Sequence, residues 1–213
     1  MSPSRNPVLS PSYVGLDLSL TGTGFCIKRK SELQMETVKT TPKTAANDLV
    51  RLRYISDTLM EKIPSHTAMV CVEDFFVPHK SAQMNAAKGL IMLGTVVRLA
   101  LLERGLPFFV VMPTQLKKFA TGKGNGPKGL VIREIYKRWG IDAKDDNQAD
   151  ACVLAHMAEG INCFLSDQAA MIPQTALLKY QQEMVEKVVE ERPHYNVEVP
   201  NANSQAELDS DDL

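Results

Sequence analysis

The sequence lacks a long hydrophobic run. Its most apolar stretches, 89–92 and 108–112, are far shorter than the roughly 20 residues that a transmembrane helix needs. Residues 1–12 contain no apolar segment of the kind that a secretory signal requires, and we predict a disordered leader there. We therefore expect a cytoplasmic protein with no membrane partner.

Cysteine is also scarce. The four cysteines stand singly among apolar residues, without the paired spacing of a zinc site or a redox motif: Cys26, Cys71, Cys152 and Cys163. This spacing argues against a structural zinc module or a disulfide framework. We expect reduced thiols in the core of a cytosolic protein.

Net charge is nearly absent, at -1, but the charges are unevenly distributed. Residues 183–213 hold nine acidic and two basic side chains, whereas residues 114–138 hold seven basic side chains and only one acidic one, Glu134. A basic stretch of this kind is typical of a phosphate-binding surface.

The hydrophobic periodicity predicts an α/β fold with a mixed sheet of about five strands flanked by helices. A Thr21–Gly24 turn separates the first two strands, Pro127 is expected at the first helical position, and Ala45, Leu49 and Leu52 begin an apolar helical face. The predicted strands are 13–18, 25–28, 33–38, 68–73 and 106–111. The predicted helices are 44–63, 81–104, 114–119, 127–139, 146–159 and 176–191. We expect one domain over 13–165, a C-terminal helix within 166–195 and a disordered acidic tail over 196–213.

Acidic residues end two of the predicted strands. Asp17 ends the first, where its alternative role is to cap the turn that follows. Glu73 and Asp74 end the fourth, and neighbours on a strand point to opposite faces, so only one of them can join Asp17. Glu73 is favoured, because the loop that begins at Phe75 lets Asp74 serve as a turn residue.

A third acidic cluster opens the helix at 146. Capping explains Asp145 and in part Asp146, since acids are common at helix N-termini. Asp150 stands one turn later among apolar residues, where a carboxylate needs a partner or a function. Oxygen ligands on two strand ends and one helix suit Mg²⁺ or Mn²⁺, and two such ions can together hydrolyse a phosphodiester bond.

Four segments, in this order and spacing, resemble the RuvC-type Holliday-junction resolvases, especially the compact phage and prophage members: GLDLSLTGTGFC, VCVEDFF, LKKFATGKGNGPKG and DDNQADACVLA. The resemblance covers about residues 13–159 and implies an RNase H-like nuclease domain that uses Mg²⁺ or Mn²⁺. It also implies a homodimer that cleaves four-way DNA junctions, in the host cytoplasm if a phage encodes the chain. Its implied catalytic acids are Asp17, Glu73, Asp150 and one further residue.

That further residue departs from the family pattern. Many members have an aspartate three residues before the last one, where this chain has Asn147. Asp146 is slightly favoured as the fourth acid because its charge better offsets two divalent ions, with Asn147 as the alternative ligand. The resemblance also implies DNA contacts by four lysines, one of which is expected to aid catalysis: Lys117, Lys118, Lys123 and Lys128.

Two other functions fit parts of the pattern. An acid followed by a threonine- and glycine-rich hairpin also opens the actin and sugar-kinase ATPases, but that superfamily needs a second domain that this chain is too short to hold. A DNA-binding protein that has lost catalysis is the second alternative, which Asn147 favours and the three acids oppose.

His156 is expected to be packed or solvated, and Phe75 and Phe76 either stack on bases or lie in the core or a dimer surface.

Overall fold

The computed structural model describes residues 10–41, 43–44, 47–75, 81–127, 129–166 and 177–191, without the side chains of 81–86. The strands are β1 (Ser12–Asp17), β2 (Gly22–Arg29), β3 (Glu32–Lys39), β4 (Thr67–Glu73) and β5 (Phe108–Val111). The helices are α1 (Asp48–Lys62), α2 (Ser81–Glu103), α3 (Pro113–Thr121), α4 (Leu130–Trp139), α5 (Asp146–Leu165) and α6 (Lys179–Glu191). Within these described ranges, none of the helices has the length and apolar character to span a membrane. The predicted acidic tail, and the leader up to residue 9, lie outside the described residues.

The five strands form one mixed sheet in the order β3-β2-β1-β4-β5. The meander β1-β2-β3 is antiparallel, whereas β4 pairs with β1 and β5 with β4 in parallel. Leu16 pairs with Val72, so the parallel strands β1 and β4 end side by side. Their last residues, Asp17 and Glu73, therefore lie at the same edge of the sheet.

Side-chain alternation along the strands divides the core into two apolar clusters. On one face, Val14, Leu16 and Val72 join residues of α1 and α2. On the other face, Tyr13, Cys26 and other strand residues pack against α3, α4, α5 and α6. Both Asp17 and Glu73 fall on the α5 face by this alternation.

Two glycines allow α5 to lie directly on the sheet. A Cβ added to Gly15 would meet the Ala151 carbonyl oxygen at 1.9 Å, and one added to Gly24 would meet the Asn147 carbonyl oxygen at 2.0 Å. No side chain fits at either position without moving the helix. The start of α5, which carries the third acidic cluster, is thereby held over the end of β1 and the start of β2.

Three local predictions are wrong. Gly22–Gly24 belong to β2 and not to a turn. The turn lies before them, at residues 18–21, and the Thr23 hydroxyl stabilises it by donating to the Ser19 carbonyl at 2.7 Å. Helix α1 begins at Asp48, because the Asn47 side chain accepts from the Val50 N–H and caps it there. Leu49 in its first turn is 71% exposed, since the helix packs on the sheet only from Leu52 onward, and Ala45 lies outside the described residues.

Helices α4 and α5 also differ from prediction. Pro127 is not the first residue of α4: its carbonyl accepts from the Leu130 N–H, and Gly129 takes a left-handed φ of 76° before the helix starts. Helix α5 continues to Leu165, six residues past the predicted end. The four cysteines are free thiols, and Cys26, Cys71 and Cys152 are fully buried, as predicted. The prediction is wrong for Cys163, which is half-buried near the end of α5.

Candidate active site

A carboxyl pair at the shared end of β1 and β4 joins buried Asp17 to half-buried Glu73. Asp17 is only 8% exposed, and burial raises its pKa, as do the nearby charges of Asp145 and Asp146, against a hydrogen bond with Glu73 that lowers it. Burial, the hydrogen bond that Glu73 donates to Asp17 and the negative charge around it raise the pKa of Glu73 to about 10. The pair therefore holds a proton at neutral pH when no cation is present.

Asp150 of α5 faces this pair. Burial and the charges of Asp17 and Asp146 together raise its pKa to about 7, although the Lys117 ammonium lowers it. Lys117 also lowers the pKa of Glu73. Three acids from β1, β4 and α5 thus lie within electrostatic reach of one another, with one lysine of α3 beside them.

Three neighbouring polar residues at the start of α5, Asp145, Asp146 and Asn147, have different surroundings. Asp145 caps the helix, because its carboxylate accepts from the Gln148 N–H at 2.8 Å and from the Thr37 hydroxyl at 2.9 Å. Asp146 lines the same cleft as Asp150. The Asn147 side chain turns towards β2, where its amide nitrogen lies 3.4 Å from the place of a Cβ on Gly22.

Asp74 lies on the opposite face of the sheet from Glu73. Its carboxylate accepts from the Arg98 guanidinium of α2 at 3.0 Å, and its N–H donates to the Val111 carbonyl at 2.8 Å. The same guanidinium lies 5.3 Å from the centre of the Phe75 ring, which packs on Gly94. Phe75 is thus packed against α2, and Phe76 lies outside the described residues.

An open cleft of about 290 Å³ borders the acids. Lys117 lies on one side, Asp146 and Asp150 on the other, and the loop after α3 closes it between Thr121 and Val131. Lys118 is half-buried on α3 and Lys123 is exposed in the loop, while Lys128 lies outside the described residues. The cleft therefore has both a lysine and two acids in its lining.

The basic stretch is less available to phosphate than its composition indicates. Arg133, Lys137 and Arg138 all form ion pairs with the carboxylate of Glu134, at 3.7, 4.0 and 3.4 Å. His156 is packed and not near the acids: it stacks on Trp139 at 3.9 Å between ring centres. Lys117 of α3 is the lysine that lines the described part of the cleft.

The described residues offer no preformed coordination shell of three acidic, histidine or cysteine side chains. The donor set nevertheless fits a hard divalent cation, because it consists of carboxylate oxygens. Burial and nearby negative charge raise the pKa of Asp17, Glu73 and Asp150, as expected for clustered acids that need more counter-charge than the Lys117 ammonium provides. A cation would supply that charge.

Sequence reasoning missed three features that shape this site. The close approach at Gly15 and Gly24 is signalled only by glycine inside a strand pattern. Arg98 has no local signal, because its partner Asp74 lies 24 residues away. The contact of α6 with α3 joins segments more than 60 residues apart and equally leaves no local trace.

Comparison with known proteins identifies the family. The model of the family described as "Crossover junction endodeoxyribonuclease RuvC" matches residues 13–157. Proteins of that name from Mycobacterium tuberculosis and Bifidobacterium adolescentis are each 28% identical over 151 residues, covering 67% of this chain and 78% and 76% of the relatives.

Two solved structures have the same fold as this chain. Thermus thermophilus RuvC superposes with a TM-score of 0.53 at 23% identity, covering 68% of this chain and 90% of that one. Its complex with a Holliday junction substrate superposes with a TM-score of 0.54 at 19% identity over the same shares. The predicted RNase H-like fold is confirmed, and neither the ATPase nor the binding-only alternative is favoured. The chain therefore belongs to the RuvC family of crossover junction endodeoxyribonucleases.

Proposed function

We propose that this chain hydrolyses phosphodiester bonds at four-way DNA junctions, with Asp17, Glu73 and Asp150 as metal ligands and Asp146 as the fourth acid. The observation that carries the proposal is the convergence of acids from β1, β4 and α5, where Asp17 and Asp150 raise the pKa of Glu73 and Asp17 raises that of Asp150. The substrate class is supported by the similar Thermus thermophilus structure, which is a complex with a Holliday junction substrate.

The proposed cofactor is Mg²⁺ or Mn²⁺, two ions per site. Such cations, when bound, stabilise the negative charge that develops on phosphate oxygens. The four carboxylates hold them only in ionised form, so cation binding must displace the proton that Glu73 shares with Asp17. Asp146 is preferred to Asn147 as the fourth ligand because Asp146 lines the cleft while the Asn147 amide turns to Gly22.

The lysines of α3 and its loop bind the DNA backbone in this proposal. Lys117, Lys118 and Lys123, together with Lys128, contact phosphates and position the strand without reading its sequence. Lys117 has a second role, since its ammonium stands beside Glu73 and Asp150 and offsets part of their charge. It is the lysine that we assign to catalysis.

The active unit in this proposal is a cytoplasmic homodimer. Helix α2 presents two exposed apolar side chains two turns apart, Met92 at 44% and Leu99 at 53%. A face of this kind suits an interface with a second copy, and two copies related by a two-fold axis match the symmetry of a four-way junction.

The test is cleavage of a four-way junction and of linear duplex, each with and without Mg²⁺. We expect junction cleavage that requires the metal, and none by Asp17→Asn, which should still bind the junction. Asp57→Asn is the matched control, because Asp57 is exposed on α1 in an ion pair with Arg53. Undiminished cleavage by Asp17→Asn, or ATP hydrolysis without junction cleavage by the unmodified protein, would contradict the proposal.

A further inference from the structure

Helix α6 lies beyond the region that the family model matches, 13–157, yet it is part of the same core. Its buried residues Met184, Val185 and Val188 are at most 3% exposed and belong to the apolar cluster on the α5 face. Val185 also closes over Gly160 of α5, where an added Cβ would stand 3.1 Å from its methyl group. The helix is therefore an integral element and not an appendage.

Gln181 joins the start of α6 to the end of α3. This side chain is 2% exposed and both ends of its amide are satisfied: the oxygen accepts from the Leu178 N–H at 3.0 Å, and the nitrogen donates to the Phe119 carbonyl at 3.1 Å. The last carbonyls of a helix have no partner within it. Gln181, 62 residues further along the chain, supplies a donor to one of these carbonyls. Next to it, the Tyr180 ring packs on Gly122, the C-cap residue of α3.

The opposite ends of the two helices are joined as well. Gln115 in the first turn of α3 accepts from the Met112 N–H at 2.8 Å through its oxygen. Its nitrogen donates to the carboxylate of Glu191, the last residue of α6, at 3.2 Å. Since Gln181 contacts the end of α3 and Glu191 contacts its start, α6 runs antiparallel along α3 and fixes it at both ends.

Helix α3 carries Lys117 on its exposed side, where this lysine lines the cleft opposite Asp146 and Asp150. We infer that α6 is a positioning element for DNA binding: Gln181 and Glu191 hold α3 so that Lys117 meets a phosphate of the DNA in the cleft. This inference rests on the proposed function. Neither residue is catalytic, because both act through the placement of α3.

The test measures the affinity of the full-length protein for a four-way junction, without divalent metal, over a range of salt concentrations. Glu191→Ala removes an exposed acid, and Glu186→Ala removes another from the outward face of α6, so the two variants change the net charge equally. We expect Glu191→Ala to bind several-fold more weakly and to lower the salt dependence by about one phosphate contact, whereas Glu186→Ala does neither.

Gln181→Met keeps the shape of the side chain and removes both hydrogen bonds. We expect the same weakened binding, and little further loss when it is added to Lys117→Ala, because the two variants remove one contact. Additive losses, or unchanged affinity in both Gln181→Met and Glu191→Ala, would overturn the inference. Failure of the unmodified protein to bind the junction would instead overturn the proposed function.

Discussion

Gly24 of β2 and Asn147 of α5 approach so closely that a Cβ on the glycine would stand 2.0 Å from the asparagine carbonyl oxygen. With Gly15, this contact sets the distance between the helix that carries Asp150 and the strand that carries Asp17. The distance between these two acids thus depends on glycine, which has no side chain, at position 24.

We predict that Gly24→Ala largely abolishes cleavage. The methyl group must displace backbone, which costs about 1–3 kcal/mol or more and moves the start of α5 away from β1. Gly22→Ala is the control on the same face of the same strand, since its Cβ meets only side-chain atoms at 3.3 and 3.4 Å. Urea unfolding and junction cleavage measure the two effects, and a fully active Gly24→Ala would contradict this account of the site.

We predict that the metal-free protein loses stability as the pH rises from about 4 to about 7. Asp150 has its pKa raised from 3.8 to about 7, so the folded state binds a proton more tightly than the unfolded state, and this stabilisation disappears when the carboxyl ionises. Asp150→Asn should remove much of that decline in melting temperature. If the pH dependence of the melting temperature is the same in Asp150→Asn, the pKa of Asp150 is not raised by its surroundings.

We predict that Mg²⁺ reverses this trend. The folded protein binds the cation through ionised carboxylates, so the rise in melting temperature that Mg²⁺ gives should grow as the pH increases through about 7. The rise should be absent in Asp17→Asn and present in Asp57→Asn. Equal stabilisation of both variants would place the cation elsewhere.

We predict that Arg98→Met lowers the rate of cleavage by about tenfold or more, with junction affinity preserved. The Arg98–Asp74 ion pair ties the residue next to Glu73 to α2 and so fixes the end of β4. Small misplacement of a reacting group is costly to rate. Arg53→Met, which removes an exposed ion pair of α1, is the control. Equal effects of both variants on rate would reject this role.

We predict that Lys117→Ala weakens junction binding and reduces its salt dependence, whereas Lys137→Ala does neither. Both lysines come from the same basic stretch, but Lys117 lines the cleft and Lys137 shares the carboxylate of Glu134. Affinity measured against salt concentration distinguishes them. An equal loss in the two variants would mean that the stretch acts through its overall charge.

The sheet and the acids at its edge could be predicted from sequence because their signals are local. Alternation allows only one of Glu73 and Asp74 to face Asp17, and the loop that follows favours Glu73. The helical period places Asp146 and Asp150 one turn apart. Tertiary contacts decided the rest. Leu49 fits the apolar period of α1 yet lies beyond the surface on which the helix packs.

Other misses have the same origin. The composition of residues 114–138 does not show that Glu134 pairs with all three basic side chains of α4, because that follows from the geometry of the helix. The role of Gln181 depends on a partner 62 residues earlier. The assignment of Asp146 over Asn147 remains a prediction.

The two faces of the sheet have a consequence for how this chain tolerates change. Acids and lysines gather on the α5 face, while the α1 and α2 face joins the sheet through an apolar cluster. Substitutions beneath α1 can therefore be screened for stability with little interference from chemistry, and those along α5 alter both together. Arg98 crosses this division, because it reaches from α2 to Asp74, the residue next to Glu73.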